Sequence, residues 1–72
     1  MTQYEVTGEL KEVKGGLVDF IAEGYVIRDG ERIPCEIGFT KYGDEEVEET
    51  HIFIKNGITE GGNHYYAETI EL

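Results

Sequence analysis

The sequence predicts an all-β fold: five antiparallel strands in a meander, curled into a small barrel or a strongly bent sheet. Three observations carry this reading. Apolar and polar residues alternate along most of the chain, the period-2 pattern of half-buried strands, and no stretch keeps a helical period. Asp29-Gly30 separates two such runs, which is the strongest short-range hairpin signal. Ten glycines against one proline supply many tight turns. The strands are expected at 3–13, 17–28, 32–42, 47–55 and 64–71, in a single small β domain over 1–72.

The second and third strands are the best determined. A type I′ turn needs φ > 0 at both central positions, which Asp-Gly tolerates. A two-residue loop there places Arg28 opposite Glu31. The pairs then continue as Val26 with Ile33, Gly24 with Cys35, Ala22 with Ile37, and Phe20 with Phe39. All these pairs fall on one apolar face, and that internal agreement supports the register.

The first hairpin is expected to turn through a three-residue loop, Lys14-Gly15-Gly16, a type I turn with a glycine bulge. It would pair Leu10 with Phe20, Gly8 with Ala22, Val6 with Gly24, and Tyr4 with Val26, extending the same face. A two-residue Gly15-Gly16 turn would bring Glu9 and Lys11 onto that face, so it is rejected. Gly8, Ala22 and Gly24 would then lie together, which suits a sharply curved sheet. A ligand pocket floor is the competing use of that space.

In the second half, "VEETHIFIKNG" reads as a strand because "THIFI" is β-branched and aromatic. A short helix ended by Asn56-Gly57 is the alternative. Either Ile52 and Ile54 or His51 and Phe53 should face the core. "NHYYAETIEL" reads as a last strand after a long glycine-rich loop.

Size and charge exclude several functions. A chain of 72 residues buries only about 60% of its unfolded surface, leaving no room for separate cofactor and substrate domains. One cysteine, Cys35, rules out an intramolecular disulfide. "MTQYEVTGEL" has neither the basic start nor the apolar centre of a signal peptide. No apolar run approaches the roughly 18 residues of a membrane span. The expected compartment is the cytoplasm. Sixteen Asp and Glu against six Lys and Arg give a net charge of −10. That field repels nucleic acid and anionic lipid and attracts basic proteins. Its magnitude exceeds the roughly 2 to 8 usual for a small soluble domain.

The candidate partner-binding residues are acidic and aromatic. "YGDEEVEETH", residues 42–51, holds Asp44, Glu45, Glu46, Glu48 and Glu49 with no Lys or Arg. It lacks the alternating ligands and central glycine of an EF-hand loop. Along a strand, neighbours point to opposite faces, so these carboxylates cannot all converge on one ion. The segment reads as a row of charge offered to a basic groove, or as a solvated loop. Glu23 faces Glu36 on the outer face, an opposition that destabilises a sheet; either a cation or a partner's Lys or Arg sits between them, or both side chains splay into water at little cost. Ile21, Tyr25, Ile27 and Pro34 share that face, the mixture expected either of a docking surface or of a second core layer, if the fourth and fifth strands fold onto that side. Tyr25, Tyr42, Tyr65 and Tyr66 are the tyrosines expected to be exposed.

Chemistry is sparse. Cys35, His51 and His64 are scattered and match no zinc spacing. Cys35 falls on the core face, where a thiol behaves as a small hydrophobe. No G-x-S-x-G, phosphate-binding or dinucleotide motif occurs. The expectation is a non-enzymatic chain without metal or cofactor. It would be an acidic inhibitor or nucleic-acid mimic that occupies a basic surface of a larger protein. In composition it resembles the small acidic anti-defence proteins of phages, a resemblance that covers no motif. The main alternative is a structural module that pairs through an exposed edge strand, possible as a homo-oligomer. A ligand-binding mini-barrel and a designed scaffold are further alternatives.

Overall fold

Alternation does produce strands, in a single antiparallel sheet. The computed structural model describes residues 2–44, 46–58 and 64–72, with side chains described throughout except at 56–58 and 64–67. The strands are β1 (Gln3–Val6), β2 (Lys11–Glu12), β3 (Phe20–Arg28), β4 (Glu31–Tyr42), β5 (Glu46–Ile58) and β6 (His64–Glu71). Their order is β1-β3-β4-β5-β6, with β2 also on β3. There is no helix among the described residues, so "VEETHIFIKNG" is strand.

The β3–β4 hairpin has the predicted register in full, from Phe20 opposite Phe39 to Arg28 opposite Glu31. Asp29 and Gly30 both take positive φ, 51° and 78°, as a type I′ turn requires.

The first strand departs from expectation. Tyr4 opposes Val26 and Val6 opposes Gly24, but beyond them Lys11 opposes Ile21 and Glu12 opposes Phe20. Residues 7–10 therefore face only Ala22 and Glu23. The N–H groups of Thr7 and Gly8 both donate to the Glu23 carbonyl, at 2.9 and 3.0 Å. This bulge splits the predicted strand into β1 and β2 and replaces the Leu10–Phe20 and Gly8–Ala22 pairs. Leu10 is 50% exposed rather than in the core. The turn is also longer than three residues. Val13 N–H donates to the Asp19 carbonyl, so 13–19 form one loop, with Gly15 and Gly16 at positive φ.

The core lies on one face of the sheet. Ala22, Val26, Cys35, Ile37, Phe39, Ile52 and Ile54 form it, with Tyr4, Val6, Phe20, Ile33 and Ile70 packed around them. Thr50 is an extra residue between the pairs Gly38–His51 and Phe39–Glu49. This bulge lets Glu49 and Ile52 both face the core side.

The sheet is open rather than closed into a barrel: its path runs from β1 to β6 without returning. It is nonetheless bent. The Tyr4 hydroxyl on β1 donates to the Glu49 carboxylate on β5. Arg28 on β3 donates to Glu68 on β6 at 2.8 and 2.5 Å. In a flat sheet each pair of strands would lie about 14 Å apart. Both bridges cross the core face, which is therefore concave.

Candidate functional site

The convex outer face carries most of the candidate residues. Strand alternation turns Ile21, Glu23, Tyr25 and Ile27 of β3 outward, beside Pro34, Glu36 and Gly38 of β4 and His51, Phe53 and Lys55 of β5.

Glu23 opposes Glu36 as predicted. A cation does meet Glu23, and it comes from the chain itself. Lys55 reaches across β4 and donates to both Glu23 oxygens, at 3.0 and 2.9 Å. Its stem therefore covers the neighbourhood of Glu36, which is only 8% exposed. The position is largely internal, and Glu23 is the member of the pair that meets solvent.

Toward one end, Tyr25 is held from two sides. Its hydroxyl donates to the Glu5 carboxylate, and the Arg32 guanidinium lies 4.8 Å from its ring centroid, a cation–π arrangement. The hydrogen bond to Glu5 and, less, desolvation raise the Tyr25 pKa, while Arg32 opposes the rise. Ile27 and Pro34 are exposed beside it. A rigid tyrosine flanked by arginine and apolar groups is the composition of an interface anchor.

The β4–β5 hairpin tip divides the acidic segment. Tyr42 opposes Glu46 and Thr40 opposes Glu48, so both glutamates share the outer face with Tyr42, which is 49% exposed. Asp44 is exposed in the turn after Gly43. Glu49 turns to the concave face, where it holds Tyr4. That hydrogen bond, then desolvation and the glutamate charge, push the Tyr4 pKa up to about 12. Glu45 lies outside the described residues. Tyr65 and Tyr66 are placed as backbone in β6, opposite Gly57 and Lys55, and their side chains also lie outside.

Cys35 sits in the core with no exposed surface. Desolvation, then the nearby Glu23 charge, push its thiol up to about 11, with Lys55 opposing. It is neutral at pH 7, so it is a poor nucleophile. The His51 ring stacks on Phe53 at 5.8 Å, and its Nδ1 lies 2.9 Å from the Thr50 hydroxyl. Among the described residues, no group of three or more His, Cys, Asp and Glu side chains is placed to hold a metal, and no helix is long and apolar enough to cross a membrane.

Lys55 as the partner of Glu23 had no place in the sequence reading. The outer face does carry a second apolar layer, the alternative to a docking surface, but it is built by Val18 of the 13–19 loop packing with Phe53 over Gly38 rather than by the fourth and fifth strands folding onto that side. A Cβ placed on Gly38 would lie 2.7 Å from both side chains. Apolar residues at both parities in "HIFI" are the signal for a strand covered on two sides. The space expected near Gly8, Ala22 and Gly24 is close-packed at Gly24, where a Cβ would lie 2.4 Å from the Glu5 carbonyl oxygen.

No family model, characterised protein or solved structure matches the chain, so the functional reading rests on geometry and charge.

Proposed function

We propose that the chain is a non-enzymatic, cytoplasmic protein-binding module that docks on a basic surface of a larger protein as an inhibitor or nucleic-acid mimic. The observation that carries this reading is the hairpin tip. Glu46, Glu48 and Tyr42 share one face there, with Asp44 exposed beside them, in a molecule of net charge −10. Same-face carboxylates two residues apart repeat at about 6.8 Å along a strand, the order of the step between successive phosphates. The acidic tip supplies long-range attraction, and Tyr42, with Tyr25 farther along the face, supplies desolvated contact. Anionic lipid and nucleic acid are repelled by the same field.

The test is a pull-down from nuclease-treated bacterial lysate at low and high salt, with DNA as competitor. One dominant basic partner, weakened by salt and displaced by DNA, is the expected result. Replacing Asp44 by Asn and Glu45, Glu46, Glu48 and Glu49 by Gln should then slow association and flatten its salt dependence. An unchanged on-rate would remove steering by this hairpin.

A second reading is self-assembly. It is favoured by the position of β6 at the end of the sheet, since an edge strand is a template for pairing. A mass that does not change with concentration would count against it.

A further inference from the structure

The loop 13–19 builds a hollow on the outer face, separate from the acidic hairpin. Its base is pinned by three hydrogen bonds. Val13 N–H donates to the Asp19 carbonyl and Asp19 N–H to the Phe39 carbonyl, both at 2.9 Å. Lys41 N–H donates to the Asp19 carboxylate at 2.8 Å. The loop is thus held over the sheet without filling the space beneath it. The hollow measures about 310 Å³ and is lined by Val13, Leu17, Val18, Ile21, Phe53 and Thr69. This volume is at the small end of ligand pockets, which run from about 300 to 1,000 Å³. Apolar wall left in water is unfavourable by about 25 cal/mol per Å², and Leu17 at the rim is 70% exposed. A structured loop that keeps such a surface open has the character of a binding site.

Charge selects the ligand. Glu71 lies two residues beyond Thr69 on the same face and is exposed. Lys55 is engaged by Glu23, which leaves Lys11, opposite Ile21, and Lys14, beside Val13 in the loop, as the nearby cations. Over these local charges lies the field of the whole chain, at −10. The geometry points to a compact hydrophobic cation as the ligand: one aromatic ring, or a short branched alkyl body, carrying an amine. The body covers Ile21 and Phe53, and the amine stays at the rim on the Glu71 side. An anion with the same body enters against the field.

The experiment is an NMR titration of the full chain with tryptamine and, separately, with indole-3-propionate, which carries a similar ring and the opposite charge. Saturable shifts are expected at the methyl groups of Val13, Leu17, Val18 and Ile21 and at the Thr69 amide. Tryptamine should bind about fivefold tighter or more at low salt, the factor for one close charge contact in water, with the gap narrowing as salt rises. Thr69→Phe, at an exposed strand position, should fill the hollow and abolish both titrations while the Ile37 and Ile52 methyl shifts stay in place. Leu17→Ser, at an exposed loop position, should weaken both several-fold and guards against a misfolded first variant. Non-saturating shifts, saturable shifts elsewhere, binding that survives Thr69→Phe in a folded protein, or equal affinity for the two probes would overturn the assignment. The assignment stands or falls independently of the basic-partner reading.

Discussion

Gly24 shows how a single residue sets the approach of two strands. A Cβ there would meet the Glu5 carbonyl oxygen at 2.4 Å and Ile37 Cγ1 at 3.1 Å. The first contact is with backbone, which cannot swing aside as a side-chain tip can. Gly24→Ala should therefore push β1 off the sheet, and hydrogen exchange should show lost protection at the β1 amides while β3–β4 amides stay protected. Tyr4 gives a pH signature at the same scale. Its pKa rises from 10 to about 12 in the fold, chiefly through the hydrogen bond to Glu49. Above pH 10 the unfolded chain releases this proton before the folded one does, so stability falls as pH rises from 10 to 12. The contribution is fully present below pH 10. Thermal unfolding across that range should show the fall, and Tyr4→Phe should make it shallower. An ultraviolet titration in which Tyr4→Phe removes no late-titrating phenol would contradict the assignment.

Among the elements, β5 is covered on both faces around its centre. Ile52 and Ile54 point into the concave core, while Phe53 is buried on the opposite face. A strand covered on both faces loses the alternation that would reveal its inward side. Ile52→Ala and Phe53→Ala should therefore both destabilise by about 2–5 kcal/mol, as large-to-small core changes do. A denaturant titration in which Phe53→Ala costs nothing would mean that the outer layer does not contribute to stability. The split of the first strand has a different origin. The polar/apolar alternation can be continued through residues 7–10, yet the Glu23 carbonyl accepts two successive N–H groups, from Thr7 and Gly8. Gly8 is the local signal that admits a bulge, but where β1 and β2 seat on a bent β3 decides that it forms.

At the level of the whole molecule, charge works against compaction. Sixteen acidic residues against six basic ones repel one another more strongly when folded than when extended. Added monovalent salt should raise the melting temperature by screening that repulsion. The exposed Arg28–Glu68 bridge, in which the hydrogen bond lowers the Glu68 pKa, works in the opposite sense, because salt weakens it. A melting temperature that falls with salt in calorimetry would mean that such bridges outweigh the net repulsion.

The sequence by itself determined the all-β class, the position of most strands, the β3–β4 register and the separation of Glu46 and Glu48 from Glu49 onto two faces. These follow from period 2 and from a turn whose residues admit one geometry, both local properties. It also identified the Glu23–Glu36 opposition, since a hairpin register fixes every pair along it. Only the tertiary structure decided which side of β5 meets which layer, where the first strand breaks, and that the sheet stays open. It alone brought Lys55 to Glu23, Tyr4 to Glu49, and residues 13–18 over Phe53. The Tyr4–Glu49 contact depends on the bend of the sheet, which arises from close backbone approach and bulges summed over several strands, whereas the two convex-face contacts depend on the reach of Lys55 across β4 and on the path of the 13–19 loop. Contacts across the concave face between strands three places apart in the sheet are set by that sum, and no local pattern encodes it.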